Sequence, residues 1–173
     1  IDGTGAIRNR ITDYKTKFEQ NNFEVVIAQD GLEALGELVN AIPDVILLDI
    51  IMPGMDGLEL LETIRKEKLL LDSAIIMLTN QADDIEKAKS FGVDALMFHQ
   101  PYDKNSQTLI FVEDWNMLKG NTNLPIFLSS KIGRENIDHM IALNPEGIVI
   151  GKAITDHADP LGEAQFFYDK CKK

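Results

Sequence analysis

Residues 44–57 read Asp-Val-Ile-Leu-Leu-Asp-Ile-Ile-Met-Pro-Gly-Met-Asp-Gly, and this stretch decides the fold. Asp44 to Leu48 is an almost wholly apolar run, which predicts a strand of a parallel sheet covered on both faces. Asp49 follows at its carboxyl end. Pro53, Gly54 and Gly57 then punctuate a loop. Beyond the loop, Leu58, Leu61 and Ile64 recur at helical spacing and predict a helix over 58–65. Strand, loop and helix in this order make one βα unit.

The same grammar extends in both directions. Upstream, Ile7, Ile11, Tyr14 and Phe18 mark one face of a first helix, Phe23 to Ala28 reads as a strand, Asp30-Gly31 as a turn and Leu32 to Leu38 as a helix. Downstream, Ala74 to Leu78 reads as a strand, Asp84 to Phe91 as a helix closed by Gly92, and Ala95 to Phe98 as a short strand before Pro101. Past residue 103 the expected strands are Leu109 to Val112, Ile126 to Leu128 and Gly147 to Ile150. Helices are expected at Arg134 to Leu143 and Pro160 to Lys172. The class is therefore α/β, a parallel sheet with helices on both faces.

Composition narrows the function classes. An apolar fraction of 45% in 173 residues is enough for a core that needs no staples. A single cysteine, Cys171, excludes an internal disulfide and a cysteine-rich zinc site. The expected setting is a reducing cytoplasm. No apolar run reaches the roughly 18 residues of a membrane span, and no signal peptide is legible. A net charge of −11 argues against nucleic acid as a partner, since phosphate backbones demand a basic face. His99, His139 and His157 are too scattered to read as a metal site, and His99 beside a strand reads as structural. No Ser-His-Asp or Cys-His arrangement points to an enzyme.

Chemistry in an open parallel sheet gathers where strand carboxyl ends emerge. Asp49 and Thr79 both sit at such ends. A carboxylate there can bind Mg2+ through oxygen, or act as a nucleophile and form an acyl phosphate. Thr79 could hydrogen-bond phosphoryl oxygens. Alone, Asp49 reads most simply as a helix or turn cap. Its surroundings change that reading. Asp49-x-x-Met52-Pro53-x-Met55-Asp56-Gly57, with Thr79 lying 30 residues after Asp49, strongly resembles the CheY-like response-regulator receiver family. Val25 to Leu35 and Phe91 to Ala95 add to the resemblance, which spans roughly residues 1–102. It implies a flavodoxin-like receiver unit with Asp49 as phospho-acceptor, Thr79 as switch hydroxyl and Tyr102 at the switch aromatic. It also implies Mg2+ held by Asp2, Asp49 and the backbone carbonyl of Ile51. The implied partners are a histidine kinase or phosphotransfer protein and an output protein.

Three features depart from the family. Only Ile1 remains of the apolar first strand, and Gly3 stands where a second acid belongs. Gln100 replaces the lysine before the proline, and an amide cannot neutralise a phosphoryl group. The first helix also reads about three residues long. In the receiver order 2-1-3-4-5 the first strand lies inside the sheet, so its loss would leave strand edges unpaired.

Residues 103–173 form a C-terminal βα extension that resembles two things. Leu124 to Ser130, Glu135-Asn136 and Gly147 to Ile154 are similar to the closing βα units of histidine-biosynthesis isomerase-type barrels. That likeness implies a phosphate held by Ser129, Ser130, Gly151 and Lys152, although Lys131-Ile132-Gly133 departs from the usual Gly-Gly pair. Added to the five receiver-like strand positions, three more make the eight of a closable (βα)8 barrel, a hybrid of two folds. Alternatively, Phe111-Val-Glu-Asp114 resembles an acid-ended first strand of a second partial receiver, in which Glu113 and Asp114 would restore the acid pair. A solvated strand end is an equal reading of those two acids, and Trp115 beside them reads as partial core. Three functions follow: a phosphorylated receiver with at most autocatalytic phosphotransfer, a barrel-like binder of phosphate or a phosphorylated small molecule without turnover, or a degenerate receiver serving as an interaction platform.

Overall fold

The computed structural model describes residues 15, 18–20, 22–67, 69, 72–79, 84–99, 112–129 and 131–172. Within them run α1 (Gly31–Leu38), β1 (Val45–Asp49), α2 (Gly57–Lys66), β2 (Ala74–Thr79), α3 (Asp84–Ser90) and β3 (Ala95–His99). Then follow α4 (Val112–Asn121), β4 (Ile126–Ser129), α5 (Ile137–Ala142), β5 (Gly147–Val149), α6 (Lys152–Thr155) and α7 (Pro160–Cys171). The strands form one five-stranded sheet in the order β1-β2-β3-β4-β5, every neighbouring pair parallel. Sheet order is thus chain order. The ladder from β3 to β4 also joins the receiver-like part to the C-terminal extension.

Register assigns the two faces. Leu48, Met77, Leu96, Ile126 and Leu128 fall on one side, together with Ile75 and Phe98. All seven are buried and belong to one apolar cluster with Leu60, Leu61 and Ile64 of α2, Ile85 of α3, Trp115 and Leu118 of α4, Ile137 and Met140 of α5, and Phe167 of α7. Val45, Leu47, Ile76, Leu78, Met97, Phe127 and Val149 fall on the other side. None of these is in that buried cluster, and Val45 and Leu47 are 52% and 51% exposed.

Several expectations from sequence need correction. Phe23 to Ala28 forms no strand, and among the described residues β1 pairs only with β2. An extended segment becomes a strand only when a ladder partner takes up its N–H and C=O groups, and the partner expected for it is the first strand. Asp30 is not the corner of a turn but the N-cap of α1, its carboxylate accepting the Glu33 N–H at 2.8 Å. Val112 to Asp114 is not the end of a strand. It opens α4; the rest of the strand expected over Leu109 to Val112 lies outside the described residues, which hold two strands after residue 103. The helix wins because Trp115 and Leu118, one turn apart, are both buried, and the indole N–H donates to the Leu143 carbonyl at 2.8 Å. The first helix expected over Ile7 to Phe18 lies mostly outside the described residues, of which Lys15, Phe18 and Glu19 are helical. No described helix is long and apolar enough to cross a membrane.

Candidate functional site

Asp49 ends β1 and is exposed, as the loop that follows carries the chain away from the sheet. One carboxylate oxygen accepts the N–H of Ile51 at 3.1 Å. The loop closes on itself just beyond: Gly57 N–H donates to the Ile50 carbonyl at 3.0 Å. Gly57 also lies against the Asp49 backbone carbonyl so closely that a Cβ would collide with it. Gly54 turns the loop with φ of 70°, a left-handed conformation that glycine adopts without strain. Asp56 caps α2 in a reciprocal box, its carboxylate accepting the Glu59 N–H at 2.8 Å while Glu59 accepts the Asp56 N–H at 3.0 Å.

Thr79 ends the neighbouring strand. Asp49 is paired with Leu78, so Thr79 lies one residue further along β2, at the same rim of the sheet. It is buried, on the helix-covered side. Ser129 ends β4 half-buried, and Gly151 follows β5, so the carboxyl ends of all five strands reach one rim.

The model of the response regulator receiver domain matches residues 6–104, more than half of the chain. The chain belongs to the response regulator receiver family. Among curated relatives of this receiver, the alkaline phosphatase synthesis transcriptional regulatory protein PhoP of Bacillus subtilis is 34% identical over 77 residues, 44% of this chain and 31% of that protein. ResD of the same organism is 34% identical over 91 residues, 53% of this chain and 35% of that protein. The chain thus spans about a third of the length of these relatives. A different kinship in fold comes from the 3-hexulose-6-phosphate synthase of Salmonella typhimurium, with a TM-score of 0.61 and 22% identity over 94% of this chain and 79% of that one. The receiver text therefore lies in a sheet whose strand order continues as in barrel enzymes.

Oxygen ligands at the rim suit a hard cation. Asp49 supplies an exposed carboxylate and Ile51, two residues on, a backbone carbonyl in an exposed stretch of loop. Asp2, Gly3, Gln100 and Tyr102 lie outside the described residues, and nothing is described of the His99 side chain. Among the described residues no group of three or more His, Cys, Asp or Glu side chains gathers as a metal site. Glu113 and Asp114 belong to the first turn of α4, not to a strand end, so the acid pair expected there is not delivered by a strand. Ser130 is also outside the described residues. Gly151 and Lys152 are exposed at the start of α6, a helix of four residues.

One charged cluster escaped the sequence reading. Arg134, in the loop after β4, grips Glu163 of α7 with its Nε at 3.0 Å from both carboxylate oxygens and an Nη at 2.7 Å. Glu163 is only 3% exposed. The Arg134 hydrogen bonds hold its carboxyl below the ordinary carboxylate range, against the opposing effect of burial. The same pairing raises the Arg134 guanidinium. His157 Nε2 stands 3.8 Å from the carboxylate, and the guanidinium lies over the Phe166 ring at 4.1 Å from its centroid. The two partners are 29 residues apart, and no local periodicity announces such a pair.

Proposed function

We propose that this chain is a phosphorelay receiver module in which Asp49 accepts a phosphoryl group with Mg2+, in the cytoplasm. The observation that carries the reading is the placement of Asp49: exposed, at the carboxyl end of β1, on a loop held by Gly57 and followed by the capped helix α2. The carboxylate oxygen is the nucleophile. It attacks phosphorus, the donor leaves with the old bond's electron pair, and the product is an acyl phosphate. Mg2+, when held by Asp49 and the Ile51 carbonyl, supplies charge neutralisation for the incoming phosphoryl oxygens. Thr79, at the end of the adjacent strand, is the hydroxyl nearest in topology to receive a phosphoryl oxygen. The natural donor would be a histidine kinase or phosphotransfer protein, and the phosphorylated rim would be read by an output protein.

The test is direct. The full chain is incubated with acetyl phosphate and Mg2+ and its intact mass is followed. The expected result is one added phosphoryl group on the wild type and none on Asp49→Asn. Equal labelling of both, or of neither, sinks the reading. Mg2+ removal by EDTA is expected to stop labelling of the wild type.

A second reading concerns the other end of the sheet. Ser129 ends β4 and Gly151 lies two residues past the end of the adjacent β5, and the fold is shared with an enzyme whose name declares a sugar-phosphate product. Ser129, Ser130, Gly151 and Lys152 would then hold a phosphate group. Titration with inorganic phosphate is expected to move the Gly151 and Lys152 amide resonances, and unmoved resonances reject this site.

A further inference from the structure

We propose that Gly31 is a positioning residue for Asp49: the missing side chain at 31 seats Met55, and this contact fixes the loop that orients the carboxylate. The inference rests on the phospho-acceptor reading of Asp49. The loop from Ile50 to Asp56 has two anchors. Its far end is Gly57, packed on the Asp49 carbonyl and bonded to Ile50. Its other anchor is Met55, whose carbonyl accepts the Gly31 N–H at 3.2 Å. Ile51, four residues before Met55 and next to Ile50, gives its N–H to the Asp49 carboxylate at 3.1 Å.

The Met55 side chain occupies the space that any larger residue at 31 would need. A Cβ there would sit 2.6 Å from Met55 Cγ, 2.8 Å from Sδ and 3.0 Å from Cβ. Ordinary carbon contacts lie near ~3.5–4 Å, so something must move. The helix side cannot give easily. Gly31 is buried, Asp30 caps its helix, and the Gln29 N–H donates to Glu33 at 2.6 Å, which closes the first turn. Met55 packs against the apolar core, so the strain passes to its backbone and to the hydrogen bond from Gly31. Ile51 lies four residues away in the same loop. A shift of about 1 Å in such a group costs up to ~100-fold in rate. Alanine is otherwise a better helix former than glycine, so a loss on Gly31→Ala traces to Met55 rather than to α1.

The experiment compares the wild-type chain, Gly31→Ala, Met55→Ala and the double variant. Phosphorylation by phosphoramidate with Mg2+ is measured against donor concentration, alongside thermal melts and amide exchange at Ile51. The expected result is a maximal rate about 10- to 100-fold lower in Gly31→Ala, with faster Ile51 exchange. In the double variant, where the obstructing side chain is gone, both are expected to return to the Met55→Ala values. A merely structural glycine would lower the melting temperature of Gly31→Ala and leave its rate per folded molecule unchanged, which overturns the proposal. So does a double variant as slow as Gly31→Ala. If no protein is labelled at Asp49, the phospho-acceptor reading has failed, and Ile51 exchange decides alone: faster in Gly31→Ala and restored in the double variant upholds the latch, unchanged in Gly31→Ala rejects it.

Discussion

Glu163 shows how a single side chain can tie the last helix, α7, to the loop after β4. Its carboxylate is taken out of water and given a bidentate guanidinium in return. Because its folded-state pKa is lowered, the unfolded chain binds more protons near the ordinary carboxylate value of about 4.3. The stability that the pair contributes is therefore complete above that value and is lost as pH falls through the depressed one. Glu163→Gln is expected to melt below the wild type at pH 7, and the gap is expected to close as the pH is lowered through 4. Melting curves across pH 3–8 check the sign, and a gap that widens in acid would contradict it. Protonation of His157, at 3.8 Å, adds attraction to the same carboxylate. Asp49 is the opposite kind of acid, exposed and close to one N–H donor at Ile51.

At the scale of elements, α2 carries the link between site and core. Leu60, Leu61 and Ile64 are nearly or wholly buried beneath the sheet, and Asp56 starts the helix beside the loop of Asp49. Leu61→Ala is expected to cost about 2–5 kcal/mol, and Asp56→Ala about 1 kcal/mol, both read from urea unfolding midpoints. The Leu61 change should leave the Asp49 loop in place, whereas loss of the cap frees the Asp56 end of that loop. This helix was legible in sequence to within a residue at each end, because Leu58, Leu61 and Ile64 recur at helical spacing; the Asp56 cap emerged only in the structure. So was the strand before it, whose run of aliphatic residues has no other simple reading. Helix α4 was not legible. Val112, Trp115 and the preceding apolar run carry strand propensity, and what fixes the helix is a tertiary hydrogen bond from the indole to Leu143. The strand-end positions of Asp49 and Thr79 were legible because the apolar runs before them mark the strands. Arg134 and Glu163 could not, since only folding brings them together.

For the molecule as a whole, the decisive property is a sheet with one apolar side outside the buried cluster. Val45, Leu47 and Val149 are each more than 40% exposed, at the two outer strands of the described sheet. Exposed apolar surface of this kind favours association. Leu47→Lys is expected to shift sedimentation toward the monomer while changing stability by no more than about 0.5 kcal/mol, as for other surface positions. An unchanged sedimentation profile would show that this side is not sticky in solution.

The match between sheet order and chain order has a consequence for assembly. Each strand needs only its immediate predecessor as a template, so the loops to be closed are short and the ladder can lengthen unit by unit as the polypeptide leaves the ribosome. A βα unit trimmed from the end at β5 would shorten the ladder without tearing it, whereas excising β3 would leave β2 and β4 with no neighbour to pair across the gap.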